Sequence, residues 1–418
     1  MAEKENAVMK EKRKKEGNVP NLRFRKFEGD WQSVELGDVI DFKVTNSFSR
    51  ENLNYENGTV KNIHYGDIHT KFQTLFDITK EKVPYINEDI SISRISEDFY
   101  CTEGDIIFAD ASEDLHDVGK SIEIVNLNNE KLLSGLHTLL ARPKTNSFQV
   151  GFSGHLFKSN SVRLQIQKEA QGSKVLSINV GRISKIILSS PTLPEQQKIA
   201  SFLSLIEERI NTQSKIIEEL KLLKSTLCKK IFSRKLRFKD DSGNEFPDWE
   251  VKKLGAIGKF YAGGDLNKLD YHKEKNEKYV YPIYANGAGE GIYGYSNTFQ
   301  FPSNCVTVSG RGNLGYANTR KEPFNAIVRL IIIIPNGSIV SKFLEEGINN
   351  INFAVESTGV PQLTIPQISN YNISIPSKEE QLRIANLLSS IDEKIKLNEE
   401  IYASLSKQKK YFLQQMFI

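Results

Sequence analysis

Gly310-Arg311-Gly312-Asn313-Leu314-Gly315 follows a strand-like run and has the glycine spacing of a dinucleotide-binding loop. That chemistry needs a helix next, because the N–H groups at its start hold the pyrophosphate. Residues 316–323 read Tyr-Ala-Asn-Thr-Arg-Lys-Glu-Pro, a poor helix. The segment therefore reads as a tight glycine loop. Gly119-Lys120-Ser121 has the ending of a phosphate loop, but Asp114 stands where the first glycine belongs and a strand follows. The six histidines are scattered; His64 and His69 share a segment, but no nearby set of carboxylates and imidazoles suggests a metal. Cys101, Cys228 and Cys305 lie far apart, as in a reducing compartment. An Asp/Asn-Pro-Pro-aromatic motif for amino-methyl transfer and a Gly-x-Ser-x-Gly elbow are both missing from the sequence. The expectation is a chain with no catalytic site, metal or cofactor of its own.

The elements around these residues repeat. Leu22-Arg23-Phe24 recurs as Leu236-Arg237-Phe238, and Asp30-Trp31 with Leu36-Gly37 recurs as Asp248-Trp249 with Leu254-Gly255. These are the only two tryptophans. Residues 172–232 then match 357–417 without a gap, so that Glu195-Gln196 and Ile199-Ala200 become Glu380-Gln381 and Ile384-Ala385. Between these anchors the halves share little. A common frame around two different inserts is what one structural job and two recognition jobs would require.

From Glu195 to Phe232 there is no proline or glycine, and a heptad runs through Ile199, Leu203, Ile206, Ile210, Gln213, Ile217, Leu220, Lys224, Leu227 and Ile231. The second copy gives Ile384, Leu388, Ile391, Ile395, Asn398, Tyr402, Leu405, Lys409, Phe412 and Met416. Pro191, Pro194 and Pro376 stand where the helices should begin. At 1.5 Å per residue each helix would be about 55 Å long. Each would expose a long apolar seam, so the other helix is the natural partner, antiparallel if the halves obey a two-fold. Polar residues fall at the same two seam positions in both copies, Gln213 with Asn398 and Lys224 with Lys409. Such residues cost stability but fix register.

The inserts read as mainly β, from runs such as Ile106-Ile107-Phe108, Ile122-Glu123-Ile124-Val125 and Val306-Thr307-Val308-Ser309 separated by Gly-Asp pairs. The fold class expected is α+β: two mainly-β domains, two long antiparallel coiled-coil helices, and an internal pseudo-two-fold repeat. A net charge of +4, with 39% hydrophobic and 26% charged residues, fits a soluble globular protein and permits a polyanionic partner without demanding one. The longest apolar run, Leu330 to Ile334, stops at Pro335 and is too short for a membrane span. The charged N-terminus lacks the apolar core of a signal peptide. A cytoplasmic protein is expected.

In their order, twice over, these motifs resemble the specificity subunits of type I restriction–modification systems. The carriers are the Leu-Arg-Phe, Asp-Trp and Leu-Gly openings, residues 191–196 (Pro-Thr-Leu-Pro-Glu-Gln), Pro376 with Glu380-Gln381, Tyr65-Gly66-Asp67-Ile68, Gly104-Asp105-Ile106-Ile107, and the stretches 284–295 and 309–315. The resemblance implies a charged tail (1–17), a first target-recognition domain (18–192), a long helix (193–233), a second recognition domain (234–376) and a second long helix (377–418). It implies double-stranded DNA as a partner, each domain reading one half of a split target, and helices that set the spacer. It further implies two modification (methyltransferase) subunits, which would carry S-adenosylmethionine, and restriction (motor-nuclease) subunits. Candidate DNA contacts are polar, basic or aromatic residues in loop-like stretches: Lys61, His64, Tyr65, Lys71, Arg94 and Lys120 in the first domain, and Asn286, Tyr295, Arg311, Asn313, Arg320 and Lys321 in the second. Arg311 and Asn313, held in the glycine loop, are the foremost. The competing reading is a scaffold that binds only proteins; it accounts for the helices but leaves two unlike inserts without a task.

Overall fold

The structure, a computed structural model, describes residues 18–286, 291–354 and 361–418. The tail 1–17 and part of the 284–295 stretch lie outside the described residues. The chain divides into two compact units, Met1–Thr212 with Ile401–Ile418, and Gln213–Glu400. The division cuts both long helices, Leu193–Phe232 and Lys378–Gln415. The sequence boundaries set each helix apart; packing instead gives each helix segment to the sheet domain whose core it completes.

In the first unit, strand Gln32–Glu35 pairs antiparallel with Ile187–Ser190, so the chain enters and leaves the domain side by side. Between them lies a five-stranded sheet in the order Ile40–Lys43, Thr138–Pro143, Ile106–Ala109, Ser121–Asn126, Leu75–Asp77. A four-stranded sheet follows the order Leu132–Ser134, Lys61–Ile63, Tyr85–Ile86, Leu53–Asn54. Ile106–Ala109 is apolar at every position because it is a central strand buried on both faces. Phe108, Phe152 and Leu156 share one core with Ile199, Ala200 and Leu203 of the first helix and with Met416 and Phe417 at the chain's end.

In the second unit the same role falls to Glu250–Lys253 and Asn372–Ile375, again antiparallel. The main sheet runs Gly258–Ala262, Ile331–Pro335, Cys305–Val308, Ala317–Arg320, beside a three-stranded sheet of Ile292–Ser296, Tyr281–Tyr284 and Asn325–Ala326. Val306, Val308, Ile331 and Ile333 bury one face of that main sheet against Leu344 and Ile348 of helix Ser341–Asn349. A separate core joins Ile231, Trp249, Phe343, Ile384 and Leu388.

The repeated motifs are the joints of each unit. Arg23 donates from Nε and Nη2 to the buried Glu195 carboxylate, at 2.7 Å each, and Arg237 does the same to Glu380 at 3.3 and 2.9 Å. Gln196 and Gln381 each accept a backbone N–H from their domain, of Gln149 and Val340, and donate to the Pro191 and Pro376 carbonyls. Trp31 meets Phe417 edge-on at 6.3 Å, and Trp249 meets Phe232 at 6.2 Å. The Leu22 N–H bonds the Gln415 carbonyl, as the Leu236 N–H bonds that of Lys230. The glycines have one reason in common: a Cβ on Gly37 would lie 3.1 Å from that of Ser184, and one on Gly255 3.1 Å from that of Ser369. Each helix therefore seats its Glu-Gln start in its own domain, while its other end packs against a segment that carries a tryptophan.

The helix pairs run antiparallel within each unit. In the first, Phe202 packs on Phe412 at 5.0 Å and Glu207 accepts from Lys409 Nζ at 2.6 Å. In the second, Gln213 Nε2 donates to Asn398 Oδ1 at 2.5 Å, and Lys224 Nζ pairs with Asp392 at 2.7 Å. The seam residues are buried or half-buried, with one correction. Tyr402 is 39% exposed, a position where a tyrosine's hydroxyl end tolerates water. The polar seam positions are thus mated to each other or to carboxylates, and the fold is α+β with two like-framed halves.

Candidate DNA-reading surfaces

On the first unit, helix Tyr65–Thr70 organises a cationic and aromatic surface. Its Asp67 carboxylate is buried and takes both terminal nitrogens of Arg50 at 2.8 Å, with Lys71 Nζ at 2.9 Å. Burial alone would raise the Asp67 pKa; hydrogen bonds from Arg50 and Lys71 outweigh it and hold the carboxyl below its usual range. Lys71 Nζ also donates to the Tyr55 hydroxyl at 3.0 Å, and the ammonium groups of Lys71 and Lys82 lie 5.4 and 5.2 Å from the Tyr55 ring centre. Two cations, Arg50 and Lys71, hold this one carboxylate, and Lys71 and a third cation, Lys82, lie over the exposed Tyr55 ring. That combination suits a phosphate backbone and stacked bases.

Sequence-predicted residues fall on both sides of this surface. His64 is not an outward reader: its Nδ1 accepts the Gly66 N–H at 3.2 Å, capping the helix, and burial with Arg50 nearby lowers its pKa. Tyr65 is half-buried among His64, His69 and His137, with ring centres 4.6, 6.0 and 5.3 Å away. Lys61 is corrected from candidate reader to internal support, since it pairs with Glu130 at 2.6 Å and its side chain is only 12% exposed. Lys120 donates to the His69 carbonyl at 2.7 Å, and Arg94 is exposed. Arg50, Tyr55 and Lys82 were missed, because only the folded chain brings Arg50 to Asp67 and sets Lys82 with Lys71 over the Tyr55 ring.

On the second unit, Arg311 and Asn313 are exposed in the glycine loop after strand Cys305–Val308, as the sequence placed them. Arg311 Nη2 donates to Gln362 Oε1 at 3.1 Å. Lys321 is exposed, and Tyr295 is half-buried in strand Ile292–Ser296. Arg320 is a correction: it is 8% exposed, donates from Nε to Thr307 Oγ1 at 2.9 Å, and stacks 3.6 Å over the Tyr284 ring. Burial lowers its pKa. Alternation in strand Ala317–Arg320 turns it inward, which a loop reading of residues 316–323 could not foresee. Asn286 is spent on its own fold, donating to the Val328 carbonyl at 2.5 Å and accepting the Gly310 N–H at 2.8 Å.

Among the described residues, Glu345, Glu346 and Asp392 bring three carboxylates together. Lys342 Nζ sits 2.5, 2.7 and 2.8 Å from them, and Lys224 Nζ lies 2.7 Å from both Glu346 and Asp392. The carboxylates already hold two ammonium groups, so the cluster is an ion-pair joint fixing helix Ser341–Asn349 to both long helices.

Twin frames that hold unlike loop surfaces, each completed by pieces of both helices, define a duplicated recognition protein. The chain belongs to the type I restriction modification DNA specificity domain family, whose model matches it twice, over residues 28–222 and 247–407, and it is a specificity subunit of a type I restriction–modification system. It is 30% identical over 210 residues to a protein of Mycoplasma pneumoniae described as a type I specificity subunit, spanning 50% of this chain and 56% of that one. It is 26% identical to a type I restriction enzyme specificity subunit of Methanocaldococcus jannaschii, over 95% of each chain. The crystal structure of a type I S subunit from M. genitalium shares the fold, with a TM-score of 0.64 and 17% identity over 96% of this chain and 99% of that one.

Proposed function

We propose that this chain is the non-catalytic reader of a bipartite double-stranded DNA target, one half-site per domain. The observation that carries the reading is the contrast between frame and insert: the joints repeat residue for residue, while the exposed loops of the two sheet domains do not. Lysine and arginine on those loops position the phosphates, and polar side chains address base edges. In this reading the long helices set the length of the unread spacer between the two half-sites. They also offer exposed leucines, among them Leu205, Leu222, Leu223 and Leu397, for docking two modification subunits. Those subunits bind S-adenosylmethionine and take the target base out of the stack; restriction subunits join for cleavage. The proposed setting is the cytoplasm. No described helix is long and apolar enough to cross a membrane.

The test is domain exchange. Replacing residues 31–190 with the matching segment of another family member, followed by methylation mapping in a host carrying the modification subunit, is expected to change one half-site and leave the other intact. A change in both half-sites, or methylation by the isolated chain, would refute the reading.

A further inference from the structure

We propose that the Val328–Arg329 turn of the second unit is a base-reading tip, in which Arg329 addresses a base edge and the Val328 methyl groups meet a neighbouring thymine methyl. This rests on the DNA-reading function proposed above.

Val328 and Arg329 both have a φ of 56°. A β-branched residue adopts this left-handed backbone only where its surroundings over-determine it. Those surroundings are specific. Ile327 and Leu330, on either side, are buried. The Val328 N–H donates to the Gly264 carbonyl and the Arg329 N–H to that of Gly263, each at 3.0 Å, while the Gly263 N–H donates to Leu330 at 2.7 Å. A Cβ on Gly263 would lie 2.8 Å from the Ala326 backbone, so only glycine lets the two segments close up. Asn286 then ties the Val328 carbonyl to the N–H of Gly310, which begins the loop bearing Arg311 and Asn313.

Among the described residues, no hydrogen bond or ion pair uses either side chain at the tip. Val328 is 51% exposed. Arg329 is exposed, and its guanidinium has no ion pair or hydrogen bond among the described residues. Glycine or asparagine would hold this backbone at less cost. A strained valine left half exposed, next to an arginine without a side-chain partner among the described residues, points to a ligand outside the chain. Phosphate would ask only for charge and gives no reason for valine. A guanine edge takes an arginine fork, and a thymine methyl takes an aliphatic contact, which together account for both residues. Asn286 becomes a positioning residue.

The experiment uses the full chain assembled with modification subunits, and reads methylation and binding across a library of duplexes. Arg329→Ala is expected to relax one or two adjacent positions of one half-site by about tenfold or more, with the other half-site unchanged. Val328→Gly is expected to raise the unfolding midpoint while weakening preference at a neighbouring position. Lys321→Ala, a phosphate-type control, should lower affinity evenly across sequences. If the wild-type complex reads a bipartite site and Arg329→Ala changes neither half-site, the tip is refuted while the two-reader function stands. An even loss of affinity with no position relaxed also refutes it and assigns Arg329 to phosphate. A wild-type complex with no sequence preference overturns the function itself.

Discussion

Replacing Arg23 with alanine leaves the Glu195 carboxylate, 1% exposed, without either of its two guanidinium hydrogen bonds. Removing one partner of a buried pair costs about 3–5 kcal/mol. Arg23 is itself 16% exposed, so water reaches the vacated space and the lower part of that range applies. Arg237→Ala makes the equivalent cut in the second unit, with one difference: Glu380 keeps a hydrogen bond from Trp249 Nε1 at 3.0 Å. A hydrogen bond to a charged group contributes about 1.5–3 kcal/mol. Arg23→Ala should therefore destabilise its unit by roughly 1–2 kcal/mol more than Arg237→Ala destabilises the other. The two tryptophans make the comparison local. Urea unfolding followed by fluorescence would use Arg23→Ala in a Trp249→Phe background, and Arg237→Ala in a Trp31→Phe background, each against its own parent. Equal losses, or a larger loss for Arg237→Ala, would refute the reasoning.

Two further outcomes are expected. His155 is buried, and burial lowers its pKa to about 4. Its folded-state value lies below the unfolded one, so the unfolded chain binds the extra proton first, and the first unit loses stability as pH falls from about 6.5 toward 4, by about 3 kcal/mol in all. His155→Phe should flatten that slope in urea titrations read through Trp31; an unchanged slope would contradict the assignment. Replacing Gln213 and Asn398 together with leucine should raise the thermal midpoint by the equivalent of about 1–2 kcal/mol while loosening helix register, detectable as cross-linking between cysteines in more than one register; a lower midpoint would show that the polar pair stabilises more than an apolar seam.

The long helices were legible because their pattern recurs over ten seam positions without a proline or glycine. The frame was legible because it occurs twice, although the sequence could not say that Arg23 reaches Glu195, or Arg237 Glu380, before folding joined them. The reading surfaces were less legible, for two physical reasons. A strand's alternation decides whether an arginine faces water, and a mistaken loop assignment at residues 316–323 sent Arg320 to the wrong side. Nor does any local signal announce Val328 in left-handed backbone, since valine is among the residues least suited to it. Its conformation is imposed by Gly263, Gly264 and Asn286, segments distant in sequence.

Leu22 docks on Gln415 as Leu236 docks on Lys230, and Trp31 meets Phe417 as Trp249 meets Phe232. Each helix end is thus followed in space by the same opening segment, whether or not a peptide bond connects them. Within each unit the same contacts close, whether the opening segment follows the helix end along the chain, as in the second unit, or meets it from the other end of the sequence, as in the first. A circular permutant opened after the first helix, with a short linker joining Ile418 to Asn18, would keep every joint described within each unit. Domain order along the gene is therefore free to change while both recognition surfaces stay in their frames.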